Sequence, residues 1–386
     1  MNTFKSYKIR LYPNKTQEQE LVKILGACRW IYNYFLERRK QYYQEHKRAL
    51  SYSSMYQELK CLRQEMEWLH DVQSEPLEQS MRRLDSAYQR FFKKVSGFPR
   101  FKSKKDAKQS FQKHKDWKLR GNKIQIQRSL IVKYRGKIDD NAKLGTVIIS
   151  KNLSGHWYAS ITATIQVKQS KRYTKPIGID VGLETLATTS RGKKYPNIRS
   201  ERQLVKLLRA RHQTFSRKKK GSKRRDKARI ELARTYERIS NIRHNHLHQV
   251  SHDITSKNHA LIAVEDLNVK GMMQNRRLAR SFADASMSQL LRQIEYKQRW
   301  KGREFVKIGR FFPSSKTCSG CGFIIDLLPL NIRQWKCPQC KRSHDRDINA
   351  AKMILKASAY DVRGEGLRAG VKPRDNLSVK RGYAKA

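Results

Sequence analysis

The sequence predicts a multidomain α/β protein, and three observations carry that expectation. Residues 157–167 alternate strictly. Trp157, Ala159, Ile161, Ala163, Ile165 and Val167 share one face, and Tyr158, Ser160, Thr162 and Thr164 the other, which is the period of a half-buried strand. From Ile177 onward, apolar runs and helical stretches follow in the order strand-strand-strand-helix-strand-helix-strand, which suits an RNase H-like sheet. Further on, Cys318, Cys321, Cys337 and Cys340 form two C-x2-C pairs. A chain of 386 residues can hold two or three domains, each with a core. Its 38% apolar and 9% aromatic content is low, but above that of a disordered chain.

Taken in order, residues 3–12 (TFKSYKIRLY) alternate loosely and read as a strand. Thr16 and Gln19 give a T-x-x-Q capping box, and the helix behind it carries Leu21, Leu25, Cys28, Tyr32 and Phe35 as one apolar stripe. A second helix starts near Ser74 and repeats the spacing with Leu77, Met81, Leu84, Tyr88 and Phe91. Gly97 and Pro99 break that pattern. Residues 117–167 read as a small antiparallel sheet or barrel, with Ser154-Gly155 as a hairpin turn. A strand at Ile177–Val181 opens the next region, followed by ETLATTS, a turn at Arg191-Gly192, and KKYP. Two long helical stretches, about 200–217 and 224–256, flank KKKGSKRRD. The buried-type strand HALIAVEDL, a helix over Met287–Trp300 and the strand REFVKIG complete the order. The last two dozen residues are Gly-rich and basic and are expected to be disordered.

Charge narrows the class of partner. With 85 Lys+Arg against 33 Asp+Glu, the chain carries a formal +52 and repels itself unless a polyanion screens it. Roughly tens of phosphates would be needed, which a long structured nucleic acid supplies better than a membrane surface. No run of about 18 apolar residues is present, so no membrane span is expected. The first residues, MNTFKSYKIRLYPNK, lack the apolar core of a signal peptide, which points to a cytoplasmic chain. Six cysteines in an intracellular chain suggest metal rather than disulfides.

The cysteine spacing is C-x2-C-x15-C-x2-C, in which two tight turns offer four thiolates to one tetrahedral Zn²⁺. Four free thiols or a redox pair is the alternative. A closed set of four cysteines leaves no open position, so the zinc is structural, one per chain. Cys28 and Cys61 lie in helical patterns and read as core residues.

Acids are scarce, and three of them stand out. Asp180 sits inside the apolar run Ile177-Gly178-Ile179-Asp180-Val181, where a carboxylate is costly unless a partner or metal compensates it. Glu265 ends Leu261-Ile262-Ala263-Val264, and Asp347 opens the helix INAAKMILKA. Each alone also reads as a strand-end acid or a helix cap. Together, in this element order, Asp180, Glu265 and Asp347 can hold two catalytic Mg²⁺ ions, one serving the attacking water and one the leaving oxygen. Asp266 and Asp345 are the neighbours to tell apart from them, and Asp345 suits a helix cap.

The stretches KIRLYPNKTQEQ, GFPRFKSK, GIDVGLETLATTS, VEDLNVKGM, PSSKTCSGCG and HDRDINAA occur in this order. Through them the chain resembles TnpB, the RNA-guided nuclease of bacterial insertion sequences and ancestor of the type V CRISPR effectors, over nearly its whole length. The resemblance implies a RuvC-type triad of Asp180, Glu265 and Asp347, and a zinc ribbon inserted before the last catalytic helix. It implies a β-barrel-like wedge domain over 1–12 and 110–172 and a helical recognition domain over 13–109. A RuvC-like nuclease domain would cover 173–310 and 343–362, the zinc ribbon 311–342, and a basic tail 363–386. The implied activity is cleavage of double-stranded target DNA beside a short motif, directed by a guide RNA derived from the element's own end. A separate transposase would act beside it, in the cytoplasm of a bacterial or archaeal cell at the nucleoid. A guided repressor that no longer cuts, and a transposase acting directly on DNA, are the rival readings. Lys341 departs from the family, which often has Gly there, and NIRHNHLHQVSHDI has more histidines than usual.

Candidate nucleic-acid contacts fall in four places. Lys218, Lys219, Lys220, Lys223, Arg224 and Arg225 form a charge run between two long helices, suited to phosphate contact. Arg29, Trp30 and Tyr34 interleave cations with rings that can stack on bases, as do Arg38, Arg39, Lys40, Tyr42 and Tyr43 nearby; local helix packing is the alternative. Tyr52, Tyr56 and Gln57 are of the same kind. His244, His248 and His252 share one helical face, which reads as a nucleic-acid contact ahead of a metal site.

Overall fold

The computed structural model describes residues 2–167, 174–310, 312–329 and 331–363. The expected disordered tail beyond 363, and the last residues of the 110–172 segment, lie outside the described residues. The chain divides into two compact units, one of Met1–Gln166 with Leu208–Glu237, the other of Val167–Leu207 with Arg238–Ala386.

In the first unit β1 (Asn2–Tyr12) leads into α1 (Lys15–His46), α2 (Tyr52–Glu65), α3 (Glu67–His70) and α4 (Ser74–Phe92). Then come β2 (Lys108–Lys113), β3 (Lys118–Arg120), β4 (Lys123–Gln125), β5 (Ile131–Arg135), β6 (Lys143–Asn152) and β7 (Trp157–Gln166). The strands form one antiparallel sheet in the order β2-β6-β7-β1-β5-β4-β3. The N-terminal strand is therefore interior, paired with β7 from Asn2↔Gln166 to Leu11↔Trp157 and with β5 at Arg10↔Arg135. The outermost strands, β2 and β3, are not paired with each other, so the hydrogen-bonded order is open where a barrel-like form was expected.

Alternation decides which side of this sheet is dry. Tyr7, Ile9 and Leu11 of β1 and Trp157, Ala159, Ile161 and Ala163 of β7 are buried, while their neighbours face outward. Val167 lies past the end of β7. The stripes Leu21, Leu25, Cys28, Tyr32, Phe35 of α1 and Leu77, Met81, Leu84, Tyr88 of α4 join the same core. Two local expectations are corrected. The capping box is formed by Asn14 and Gln17, not Thr16 and Gln19: Asn14 Oδ1 accepts from Gln17 N at 2.8 Å, and Gln17 Oε1 accepts from Asn14 N at 3.0 Å. Asn caps better than Thr, and the residue just after Pro13 takes the role. Helix α2 also went unread, although Met55, Leu59 and Leu62 are buried at helical spacing.

The chain continues with β8 (Ile177–Asp180), β9 (Thr185–Thr189), β10 (Lys194–Pro196), α5 (Ser200–Gln203), α6 (Val205–Ser216) and α7 (Lys223–Ser256). It then forms β11 (Leu261–Glu265), α8 (Val269–Met272), α9 (Ala279–Ala285), α10 (Met287–Trp300) and β12 (Glu304–Ile308). The hairpin β13 (Gln334–Lys336) and β14 (Ser343–Asp345) and helix α11 (Arg346–Arg363) close it. The stretch expected to be helical over 200–217 breaks at Leu204 into α5 and α6.

The second unit is built on a five-stranded sheet of order β10-β9-β8-β11-β12. β8, β9 and β10 are antiparallel neighbours, whereas β11 runs parallel to both β8 and β12. One face packs Ile177, Ile179, Ile262 and Val264 against Leu247, Val250 and Ile254 of α7 and Leu290 and Ile294 of α10. The other places Ala263 and Ile308 against Ile354 of α11. Covering both faces explains why β8 and β11 read as continuous apolar runs. Gly178 fixes how near α11 comes: a Cβ there would collide with the backbone of Ala351 and Leu355. Among the described residues no helix is long and apolar enough to cross a membrane.

Candidate active site and metal centre

Strand register brings the first two acids together. β8 and β11 pair with Ile262 opposite Ile177, Ala263 opposite Gly178 and Val264 opposite Ile179. Carried one residue on, that register sets Glu265 beside Asp180, on strands about 4.8 Å apart. Both acids stand at the C-terminal ends of parallel strands, where open α/β sheets present their sites. Asp347 arrives from α11, as its second residue, on the helix that Gly178 admits to the sheet.

Electrostatics couples Asp180 to the other two acids. Burial, followed by the charges of Asp347 and then Glu265, pushes the Asp180 carboxyl up to about 7. The backbone N–H of Val181 and the Arg346 guanidinium pull the other way. Glu265 is also raised, by burial and then by Asp266, against a hydrogen bond from Ser314. Arg333 donates Nη1 to Asp347 Oδ1 at 3.3 Å and pairs with Glu184. The neighbouring acids have other partners. Asp266 pairs with Arg310 at 2.8 Å. Asp345 caps α11, its Oδ1 accepting from Asp347 N at 3.1 Å and Ile348 N at 3.0 Å, while Oδ2 accepts from Lys194 at 2.7 Å.

Among the described residues, one group of Cys, His, Asp or Glu side chains has all its ligand atoms within 4.8 Å of one another: Cys318, Cys321, Cys337 and Cys340. The three acids form no such group. The Sγ pairs Cys318–Cys340 and Cys321–Cys337 are each 3.6 Å apart. A tetrahedral metal with bonds of about 2.3 Å to sulfur has edges of roughly 3.8 Å, so the cluster is shaped to hold one such ion. The two turns repeat one hydrogen-bond pattern. Cys318 N donates to Phe323 O and Gly322 N to Cys318 O, and likewise Cys337 N to Arg342 O and Lys341 N to Cys337 O.

Two residues that the sequence reading missed fasten this cluster to α11. Buried His344 sets Nε2 3.0 Å from Cys318 Sγ, with its ring 4.8 Å from that of Trp335. Burial and then the charges of Lys352 and Arg342 lower its pKa, which disfavours the protonated imidazole. Asn349, also buried, accepts from Ser319 N at 2.8 Å and donates to Thr317 O at 2.7 Å. Asp347 lies between them in sequence. The only signal was position: a histidine and an amide flanking the third acid.

The proposed nucleic-acid contacts separate into different surroundings. Arg29, Trp30 and Tyr34 come together on α1, with Trp30 and Tyr34 stacked at 5.0 Å. Tyr52 and Tyr56 are partly buried against the core, Tyr52 beneath the Arg82 guanidinium, while Gln57 is exposed. Lys218, Lys219, Lys220, Lys223 and Arg224 are exposed around the turn between α6 and α7. Arg225 helps close that turn, donating to Lys218 O at 2.6 Å with its guanidinium 4.3 Å from the Phe215 ring. His244, His248 and His252 lie along α7 without forming a metal-ligand group. Burial, then Lys297 and His244, lower the pKa of His248.

Comparison with known proteins gives three matching family models. Residues 160–276 match "Probable transposase", 288–354 match the Cas12f1-like TNB domain, and 1–48 match a helix-turn-helix domain. A solved Cas12f1–sgRNA–target DNA complex contains a chain of like fold, at a TM-score of 0.54 and 14% identity, covering 92% of this chain and 99% of that one. A protein of Escherichia coli K12, "Putative RNA-guided DNA endonuclease InsQ", is 30% identical over 96% of both chains. A Streptomyces pristinaespiralis protein named "Putative RNA-guided DNA endonuclease" is 36% identical over 94% of this chain and 92% of its own. Matches of that extent establish the family: the chain belongs to the TnpB family.

Proposed function

We propose that the chain is an RNA-guided DNA endonuclease whose single active site is formed by Asp180, Glu265 and Asp347. The observation that carries this reading is the convergence of three carboxylates at the ends of β8 and β11 and the start of α11, with the Asp180 carboxyl held near neutrality. Such crowding is unfavourable without a cation, and hard oxygen donors suit Mg²⁺. Two Mg²⁺ ions on these acids would supply Lewis-acid activation of the scissile phosphate and a water. The protein's own part is positioning. Arg333 and the Asp345 cap fix Asp347, Ser314 steadies Glu265, and the backbone at Val181 holds Asp180. Zn²⁺ suits the four thiolates, with His344 as an outer partner that orients Cys318.

On this reading a RuvC-like nuclease domain over 173–310 and 343–362, with its ribbon over 311–342, is drawn mainly from the second unit, while its residues 208–237 belong to the first. The first supplies a wedge over 1–12 and 110–172 and a recognition domain over 13–109. A guide RNA from the element's own end would carry the address, and protein side chains would read only the short motif beside the target. Phosphate contacts alone carry no sequence information, so a chain of this charge needs such an address. A guided repressor would not need all three acids, which favours cutting. A separate transposase would supply the recombination step.

The test is guide exchange. The RNA-loaded protein digests a plasmid library with randomised flanks, using two guides. The cut should move to whichever sequence matches the guide, with the flanking motif unchanged. Cutting that ignores the guide, or proceeds equally without RNA, would return the chain to the direct-transposase reading.

A further inference from the structure

Two adjoining depressions open on α1. The first, of about 420 Å³, is lined by Gly26, Arg29, Trp30, Asn33, Tyr34 and Trp68. The second, of about 280 Å³, shares Arg29 and adds Arg83, Lys102 and Lys108. In the first, Trp30 and Tyr34 stack with 18° between their planes, and Trp68 meets Trp30 edge-on at 5.3 Å while remaining 46% exposed. Glu58, beside Tyr34, accepts from the Tyr34 hydroxyl at 2.6 Å and pairs with Arg38 at 3.3 Å.

The second depression gathers cations without pairing them. Among the described residues, Arg29, Arg83, Lys102 and Lys108 form no ion pair. Arg83 donates only to Ser110, and Lys102 lies 3.6 Å from the Tyr32 ring centre. The one acid in the lining, Asp106, accepts from Ser103 N. Burial, then Arg83, lowers the Lys102 ammonium to about 8, against smaller opposing effects of Cys28 and Asp106. Half-desolvated like charges side by side call for a counter-anion.

Gly26 is a third, independent observation. It sits inside the 32-residue α1, where glycine costs about 1 kcal/mol relative to alanine. A Cβ there would meet nothing within 4 Å, so no packing contact requires the glycine. Its effect is to keep the floor of the aromatic depression clear.

We propose that the adjoining depressions bind one unstacked nucleotide, its base against Trp30, Tyr34 and Trp68 and its phosphate among Arg29, Arg83 and Lys102. This deepens, and rests on, the nucleic-acid-binding reading above. Stacking on rings and a cationic grip on the backbone are the two elements of single-strand recognition. The floor explains the glycine, and the phosphate explains the unpaired cations.

The full chain tests it in two arms: affinity for the RNA alone, and affinity of the RNA-loaded protein for matched DNA, each across a salt series. Gly26→Leu should raise the melting temperature while weakening binding about ten-fold or more, a split that a merely structural glycine would not give. Lys102→Met should weaken binding roughly four- to six-fold at 0.15 M salt and reduce the salt slope by about 0.7–0.9. Trp68→Ala should weaken binding without changing the slope. Losses in the RNA arm assign the nucleotide to the guide, and losses only in the DNA arm assign it to the target. Unchanged affinity and slope for all three variants in both arms overturns the site, while wild-type cutting still supports the guided nuclease. A wild-type chain that binds neither RNA nor DNA overturns the reading beneath.

Discussion

The cysteine cluster and the proposed acid site both draw on like-charged side chains, but they are assembled differently. Each turn of the cluster positions its own two thiols through backbone hydrogen bonds that span five residues or fewer. The acids come from β8, β11 and α11, and nothing local places Asp180 near Asp347. The first arrangement is available as soon as a short segment closes on its metal. The second exists only after a sheet has paired in register and a helix has docked on it. His344 and Asn349 are where the two meet, because they anchor the start of α11 on the first cysteine turn.

The comparison breaks most sharply at Gly178. Gly178→Ala puts a methyl group into the backbone of α11, and should cost roughly 3 kcal/mol as well as most cleavage. Metal content of the cysteine site should be unchanged, since that site is local; thermal melting, cleavage and elemental analysis of one preparation read all three. Cys337→Ser should do the reverse, emptying the metal site while the five-stranded sheet stays folded. Cleavage should still fall, because His344 and Asn349 lose their anchor beside Asp347. Hydrogen exchange should rise over 316–349 and not over 261–265.

The sites should also differ in their response to pH. The Asp180 carboxyl is raised to about 7 from an ordinary 3.8, so between those values the folded metal-free protein holds a proton that the unfolded chain has released. Stability of the metal-free protein contributed by this group is therefore present below about pH 4 and lost as pH rises toward 7. Magnesium bound at the proposed site would have to displace the same proton. Apparent Mg²⁺ affinity should tighten about five-fold between pH 6 and 7 and level off above about pH 8, as a titration of cleavage against Mg²⁺ would show.

The smallest effect lies within the cluster. Gly322 and Lys341 hold equivalent places in the two turns, with φ of 82° and 59°. Only the glycine is at ease there, so Lys341→Gly should stabilise the ribbon by about 1 kcal/mol, read as a later loss of metal on heating.

How legible each site was follows the same division. Cysteine spacing is a local property, and Cys318, Cys321, Cys337 and Cys340 could be named from it directly. Asp180 and Glu265 were visible because a carboxylate interrupts or ends a run that is otherwise buried on both faces. The element order also anticipated the strands of the second unit. What the sequence concealed was mostly non-local or ambiguous between neighbours. The pairing of β1 with β5, the grip of His344 on Cys318, and the choice of Asn14 over Thr16 as cap all depend on which of several adequate partners the chain finds in space. Glu237 belongs here too. Burial disfavours its charge, yet hydrogen bonds from Tyr158, Ser154, His156 and Asn152 lower its pKa to about 2, and no pattern in α7 announces that.

The central claim is that half-buried Asp180 belongs to the cutting site and that paired Asp266, next to Glu265, does not. The most direct measurement is single-turnover cleavage of matched DNA by the RNA-loaded protein carrying Asp180→Asn or Asp266→Asn, with DNA binding measured on the same preparations. The account predicts that Asp180→Asn binds as the wild type does but cuts about a thousand-fold more slowly or worse, while Asp266→Asn cuts within a few-fold of wild type. Near-normal cutting by a folded, DNA-bound Asp180→Asn protein, or a collapse of cutting in Asp266→Asn alone, would contradict it.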